Sequence, residues 1–434
     1  MTILHRRAIF AALTVLALGG AGFAAPVPAL PTDDQLKATA LKLNDLSDEK
    51  EMDAKLLELV KDKAAAKRLV AIAAKMQADA KPKDAPFKFN AALVLGKLAQ
   101  NAKEYKAAES FYKFCKAEAT TLQSAKKLAQ AYDALIDTQW DQKNYAEVEE
   151  LCAEVISLPG EEALFAVQSF AIERIILSKS RRGDHDEALN MVENIIKGDR
   201  RKGWYPLQLK GSVLYEAGKI DQAIETYEEV LKKLEKDKDL KDEAKTNIIR
   251  NVRYRVTGLH VENKDVAKAA EILQALIKEV PDSATYKNDL GFIWADNDLK
   301  LEESEKLIRE ALDLDKKARD KALKEDKIDA ETAKKANAAY QDSLGWVLYK
   351  NKKYDEAIKL LTEASLDEEE GQHMEIWDHL ADAYLATKDT KKAIELWSKA
   401  LKFEDVSKRD AERRKKITEK LKKAKAALKT DGEK

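Results

Sequence analysis

Five histidines, two cysteines and a dense supply of acids are the groups in this chain whose chemistry could reach beyond packing. His5 lies in the apolar N-terminus, and His185, His260, His373 and His379 are scattered over helical sequence. None forms the His-Glu-x-x-His arrangement that aims two imidazoles at one zinc ion. His373 and His379 are six residues apart, which sets them on different faces of a helix. No Gly-rich phosphate loop and no Gly-x-Ser-x-Gly elbow occurs. Acid pairs are everywhere, so they single out no general acid or base. The sequence therefore supplies no catalytic, metal or cofactor residue, and a non-enzyme is expected. Cys115 and Cys152 stand 37 residues apart on apolar helix faces. They are expected to be buried free thiols. A disulfide stays open, because spacing does not give the separation of their Cβ atoms.

Binding has better candidates. Trp and Tyr are favoured anchors at interfaces, and acids steer basic partners. Tyr215, Asn288, Asp289, Phe292, Asp342, Trp346, Tyr349, Asp378 and Asp382 fall at matching places of successive helices, with Gln208 and Asp296 beside them. Asp133, Asp137 and Asp141 hold similar places earlier. They are expected to line an acidic, aromatic groove. The competing reading has Asp289 and Asp342 bracing neighbouring helices and Trp346 filling a junction.

A repeat positions these residues. Gly345 is followed by Ala357, Leu361 and Ala364, and Ala381 by Ala393, Trp397 and Ala400. Gly211 precedes Ala223, Tyr227 and Val230, and Gly96 precedes Ala108, Tyr112 and Cys115. Gly291 leads Ser304, Ile308 and Ala311 with one residue more. Weaker units centre on Ile136, Ile176 and Gly258. Gly inside a helix costs roughly 1 kcal/mol against Ala, so its recurrence implies close approach of two helices, where a larger side chain would overpack. Leu361 and Trp397 are expected to fill the gap towards the next unit. Each hairpin leaves an apolar face that stacking buries.

These residues, with Trp377, Leu380, Tyr384 and Leu344, resemble the tetratricopeptide repeat family over about residues 87–405. The resemblance implies an all-α, right-handed solenoid of stacked antiparallel helix pairs that binds proteins or peptides. "NDLGFIWAD" and "AYQDSLGWVLYK" are similar to a subgroup of exported bacterial repeat proteins, often lipoproteins, but a lipid-bearing Cys is lacking. The Lys and Asn pattern with which some members clamp a terminal carboxylate is not evident.

The expected organisation is a signal peptide at 1–29, irregular helical hairpins at 30–85, about eight repeats at 86–405 and a basic capping helix and tail at 406–434. Gly291 to Gly345 spans 54 residues, against 36 from Gly345 to Ala381. A charged extension at 316–338, expected as a solvated two-helix hairpin, accounts for the excess. Arg6 and Arg7, an apolar run from Ala8 to Ala25 and then Pro26, Pro28 and Pro31 read as a secretory signal. The expected location is periplasmic or secreted, the alternative being an inner-membrane anchor. The mature chain has no run long enough for a membrane span.

Charged residues make up 36% of the chain and aromatics 7%, with a formal net charge of −1, which suits long helices with solvated outer faces. A net basic field for nucleic acid is absent. The function expected is an exported scaffold that binds a protein or peptide partner, in envelope assembly or as an enzyme adaptor. A small-ligand receptor or enzyme on the same frame, or a spacer without a client, are the alternatives. The partner and the oligomeric state are not written in the sequence.

Overall fold

The computed structural model describes residues 31–432 apart from 82–83, 201–202, 326, 329, 368–369 and 405–407. The expected signal peptide lies outside the described residues. The described chain is helical, without strands, and forms two compact units, one ending at Asp239 and one beginning at Leu240.

The N-terminal unit opens with α1 (Asp33–Lys42), α2 (Glu49–Leu59) and α3 (Lys63–Asp79). Thr32 starts α1 with a capping box: its hydroxyl accepts from Gln35 N–H while Gln35 accepts from Thr32 N–H. Asn44 ties this segment to the repeats by donating to the Pro86 carbonyl and accepting from Lys88 N–H, both at 2.8 Å. Four helix pairs follow: α4 (Phe89–Asn101) with α5 (Tyr105–Thr121), α6 (Ala125–Asp141) with α7 (Tyr145–Ser157), α8 (Phe165–Arg181) with α9 (His185–Gly198), and α10 (Tyr205–Glu216) with α11 (Ile220–Lys236). The C-terminal unit holds four more: α12 (Asp242–Glu262) with α13 (Val266–Glu279), α14 (Ala284–Asp296) with α15 (Leu301–Lys324), α17 (Ala338–Lys350) with α18 (Tyr354–Ser365), and α19 (Met374–Ala386) with α20 (Thr390–Ala400). The short α16 (Ala330–Lys334) packs on α15, and α21 (Lys408–Gly432) packs on α19 and α20.

The first helix of a pair is its A helix, the second its B helix. Outside the α14/α15 pair, the B helix contributes three residues twelve, sixteen and nineteen positions after the small A-helix residue, and these are fully buried in most pairs, for example Ala357, Leu361 and Ala364. A Cβ added at Gly345 would sit 2.5 Å from Leu361 Cγ, and one at Gly211 would sit 2.9 Å from the Tyr227 ring. Glycine is therefore dictated by contact with the pair's own B helix. Leu361 fills the space over Gly345 within its own pair and shares a core cluster with Trp377 and Leu380 of the next. A correction concerns Gly258, whose Cβ would meet nothing within 4 Å. Thr257 is 3% exposed and takes the packing place, with Ala269, Leu273 and Leu276 at the regular offsets, all 0% exposed. The register is thus one residue earlier than the glycine suggested.

The turns are equally regular. Lys103, Lys143, Gly183, Gly218, Lys264, Lys352 and Lys388 all adopt positive φ between an A and a B helix. In the turn of the α17/α18 pair, Lys352 N–H bonds the Tyr349 carbonyl and Lys353 N–H the Leu348 carbonyl, both at 2.9 Å, the Schellman closure of a helix end. The α14/α15 turn contains two such residues, Asp298 and Lys300. Its extra residue explains why Ser304 follows Gly291 one place late. In the charged extension, α15 runs on as one helix to Lys324, and Arg319 joins Asp315 (2.9 Å) to the Ala333 carbonyl of the returning segment. Ala333 is buried. The expected free two-helix hairpin is instead one long helix with a short helical strut folded back on it.

Candidate partner-binding face

The C-terminal unit gathers candidates from three A helices. Phe292 and Asp296 on α14, Asp342, Trp346 and Tyr349 on α17, and Asp378 and Asp382 on α19 recur at spacings of three and four, which puts each set on one side of its helix. The centre is aromatic. Trp346 stacks on Tyr349 (centroids 5.0 Å, 10° between planes) and on the His379 imidazole (4.1 Å, 14°). Phe292 stands 6.4 Å from the same imidazole. The Trp346 indole N–H donates to Asp296 Oδ1 at 3.2 Å, and the Lys350 ammonium lies 5.0 Å above the Trp346 ring while pairing with Asp298 at 2.8 Å.

His379 joins the helices. It is 1% exposed, and its Nδ1 lies 2.9 Å from Asp342 Oδ1. Its Nε2 lies 3.4 Å from Arg413 Nη1 of α21. In the neutral form these contacts suit a proton on Nδ1, donated to Asp342, with Nε2 accepting from the guanidinium. Arg413 also pairs with Glu375 and reaches Asp378 Oδ2 at 3.3 Å. Two turns further along α21, Lys420 Nζ bonds Asp378 Oδ1 at 2.8 Å and Asp382 Oδ2 at 2.6 Å. Asp378, 3% exposed, additionally accepts the Trp397 indole N–H at 2.9 Å. Ile417, between the two cations, is fully buried in the core of the unit.

The electrostatics follow from burial and these partners. Burial pushes the His379 imidazole down, but the Asp342 carboxylate outweighs it and the net shift is upward; Arg413 works against that rise. Burial and the neighbouring Asp378 raise Asp382, opposed by Lys420. Burial likewise raises Asp289, against the hydrogen bonds it accepts from Tyr254 and Asn288.

The face therefore differs from the open acidic groove expected. Asn288, Asp342, Trp346 and Asp378 are buried, while Phe292, Tyr349 and Asp382 are part-exposed and Asp296 is exposed. Asp342 braces the imidazole of the next A helix, which matches the competing reading of that residue. Asp289 likewise braces a neighbouring helix, accepting from the Tyr254 hydroxyl of α12 at 2.6 Å, and Asn288 donates to Asp289 at 3.2 Å. Tyr215 and Gln208 are half-buried and belong to the N-terminal unit, as do Asp133, Asp137 and Asp141. There Asp137 pairs with Arg174 at 2.8 Å and Asp141 accepts from Gln100 at 2.7 Å.

Sequence reasoning passed over His379, Glu375, Arg413 and Lys420. Arg413, Ile417 and Lys420 form an i, i+4, i+7 set on one helix face, a signal visible in the sequence. Their partners 35 to 42 residues away were not. Cys115 and Cys152 are buried free thiols; burial raises both, Cys152 to about 12. Among the described residues no group of three or more His, Cys, Asp or Glu could hold a metal ion, and no helix is long and apolar enough to cross a membrane.

A tetratricopeptide repeat model matches residues 343–405, and a second one matches 207–234 and 254–283. Among solved structures, yeast Tom70 is similar at a TM-score of 0.51 and 16% identity, over 92% of this chain and 78% of that one. A thermophilic tetratricopeptide repeat protein from Thermus thermophilus is similar at a TM-score of 0.36 and 18% identity, over 50% of this chain and 99% of that one. MamA from Desulfovibrio magneticus is similar at a TM-score of 0.33 and 20% identity, over 44% of this chain and 90% of that one. These likenesses concern fold. No curated protein matches the chain in sequence.

Proposed function

Because the chain belongs to the tetratricopeptide repeat family, we propose that it is an exported scaffold that holds a basic segment of a partner protein on the A-helix face of its C-terminal unit. Repeats of this family form scaffolds for protein–protein interaction, typically without catalysis. One observation carries the finer reading: Glu375, Asp378 and Asp382 engage the two cations of α21, so a basic helix is the kind of ligand this surface accommodates. The part-exposed rings of Phe292 and Tyr349 and the exposed Asp296 extend the same surface and offer apolar anchors with acids around them. Export rests on the N-terminal arginines, apolar run and prolines, and it would put the partner in the cell envelope or outside the cell.

The test is affinity capture from envelope extract with the full mature chain, against a bait carrying Tyr349→Ala and Asp296→Lys. The expected result is one partner that binds saturably to the native bait, weakens with salt, and is lost from the variant. A partner captured equally by both baits would move the site away from this face.

A further inference from the structure

The way α21 is held names both an occupant and a competitor. Among its described side chains the fully or nearly buried apolar ones are Ile417 and Ala424, with Ala411, Leu421 and Leu428 half-buried. Its neighbour α20 buries Ala393, Leu396, Trp397 and Ala400. The polar contacts of α21 come from its cations: Arg413 with Glu375, Asp378 and His379, Lys420 with Asp378 and Asp382, and Arg414 with the Leu401 and Phe403 carbonyls. Its outer face carries Lys415, Lys416, Lys422, Lys423 and Lys425, all exposed. An undocked α21 would uncover Ile417 and the core side chains of the unit that it packs with, so a competitor must bring an aliphatic residue as well as cations. The acids would lose partners too. Asp378 would keep the Trp397 indole alone, and Asp382 would lose its Lys420 partner. Carboxylates left in that state demand replacement cations. A competitor that brings the same charges can satisfy these carboxylates in place of α21.

We propose that α21 is a displaceable internal ligand, and that the partner is a basic amphipathic helix with two cationic residues seven positions apart and an aliphatic residue between them, the pattern of Arg413, Ile417 and Lys420. The proposal rests on the reading of this face as the partner site. Binding is then gated by the chain's own C-terminus: a partner engages only as far as it outcompetes α21, whose attachment to the same chain gives it a high effective concentration.

The probe is a fluorescent peptide of residues 408–432, measured by anisotropy against three full chains: the native one, Arg413→Glu with Lys420→Glu, and Ile417→Asp. The two variants loosen α21 by charge and by packing, and neither alters the acidic face. Circular dichroism shows that each is folded, and hydrogen exchange reports whether α21 has left its place. The expected result is faster exchange confined to α21 and about tenfold tighter peptide binding, or more, by both variants than by the native chain. Peptide binding should be lost on adding Asp382→Lys to either variant. Equal binding by native chain and variants would overturn the gating while leaving the face as a partner site. Released helices with no peptide binding would overturn the partner site itself. Unchanged exchange in α21 of both variants would overturn displacement, as would a dimer by light scattering in which a second copy's α21 takes the place.

Discussion

The two units neutralise their A-helix charges in opposite ways. In the N-terminal unit the pairing is local and balanced. Arg174 of α8 bonds Asp137 of α6 and lies over the rings of Trp140, at 4.1 Å, and Phe170, at 4.5 Å. Arg181 meets Glu216 of the next A helix at 2.8 Å. Each repeat thus answers the charge of its neighbour. In the C-terminal unit the acids of α19 find their cations on α21, outside the repeats. The difference teaches that a repeat frame fixes where charges stand without fixing what balances them. A unit left with surplus acid must take its cations from another helix, and that helix is the place where binding can be regulated.

The sharpest way to break this contrast is to remove one charge from each unit. Asp378→Ala strands Arg413 and Lys420 against the remaining acids, and Asp378 is nearly fully buried. Deleting one partner of a buried ionic network costs on the order of 3 kcal/mol. Arg174→Met leaves behind Asp137, whose side chain is 42% exposed and can turn to water. The loss is then chiefly the cation–π contact, about 1 kcal/mol. Urea denaturation, with hydrogen exchange to locate the effect, should show the larger loss in the C-terminal unit and the smaller in the N-terminal one. Equal costs would show that both units depend on their charges alike.

Packing should not distinguish the units. Gly345→Ala would drive a Cβ into Leu361, and Gly211→Ala would drive one into the Tyr227 ring, whose hydroxyl is already tied to Ser212 at 2.9 Å. Overpacking of this kind costs about 2 kcal/mol. In a solenoid, whose repeats touch only their neighbours, each loss should stay within its own unit. Gly258→Ala, with open space over its Cα, serves as the control and should be neutral or slightly stabilising by helix propensity. A cost there equal to that at Gly345 would reinstate the glycine register in α12.

The same contacts explain what the sequence made legible. The small residue of each A helix and its three B-helix partners are set by sterics within some twenty residues, so spacing alone exposed them. The error at Gly258 came from treating every glycine in that frame as a packing glycine, when Thr257 is small enough to serve. The late Ser304 was visible, but its cause, a second left-handed residue in the turn, lay in backbone geometry. The site was harder to read. Trp346, Tyr349, Asp378 and Asp382 were placed on one face by helical period, yet period says nothing about which carboxylate a distant Lys420 will reach. The tail was recognised as a basic cap because its composition is local, whereas its role as counter-charge depends on a tertiary contact.

His379 offers the finest test of the C-terminal network, because it couples three helices to α21 through one proton. Asp342 and Trp346 face it from α17, Phe292 from α14, Arg413 from α21 and Glu375 from its own helix. Its folded value lies above its ordinary one, with Asp342 outweighing burial and Arg413. An unfolded histidine titrates near about 6.5. The stabilisation from the Asp342 pair is therefore complete below that value and is lost as pH rises through the folded value. Asp382 is also raised and shifts stability in the same direction, so the histidine's share is read against His379→Gln, which keeps the carboxylates. As pH rises through the histidine range the native chain should lose stability relative to that variant, because the proton is held more tightly in the folded chain. Hydrogen exchange should place the loss in α17, α19 and α21. A difference that stays flat with pH would mean that Arg413 holds the imidazole neutral throughout, and that the helix is tied down by Glu375, Asp378 and Asp382 alone.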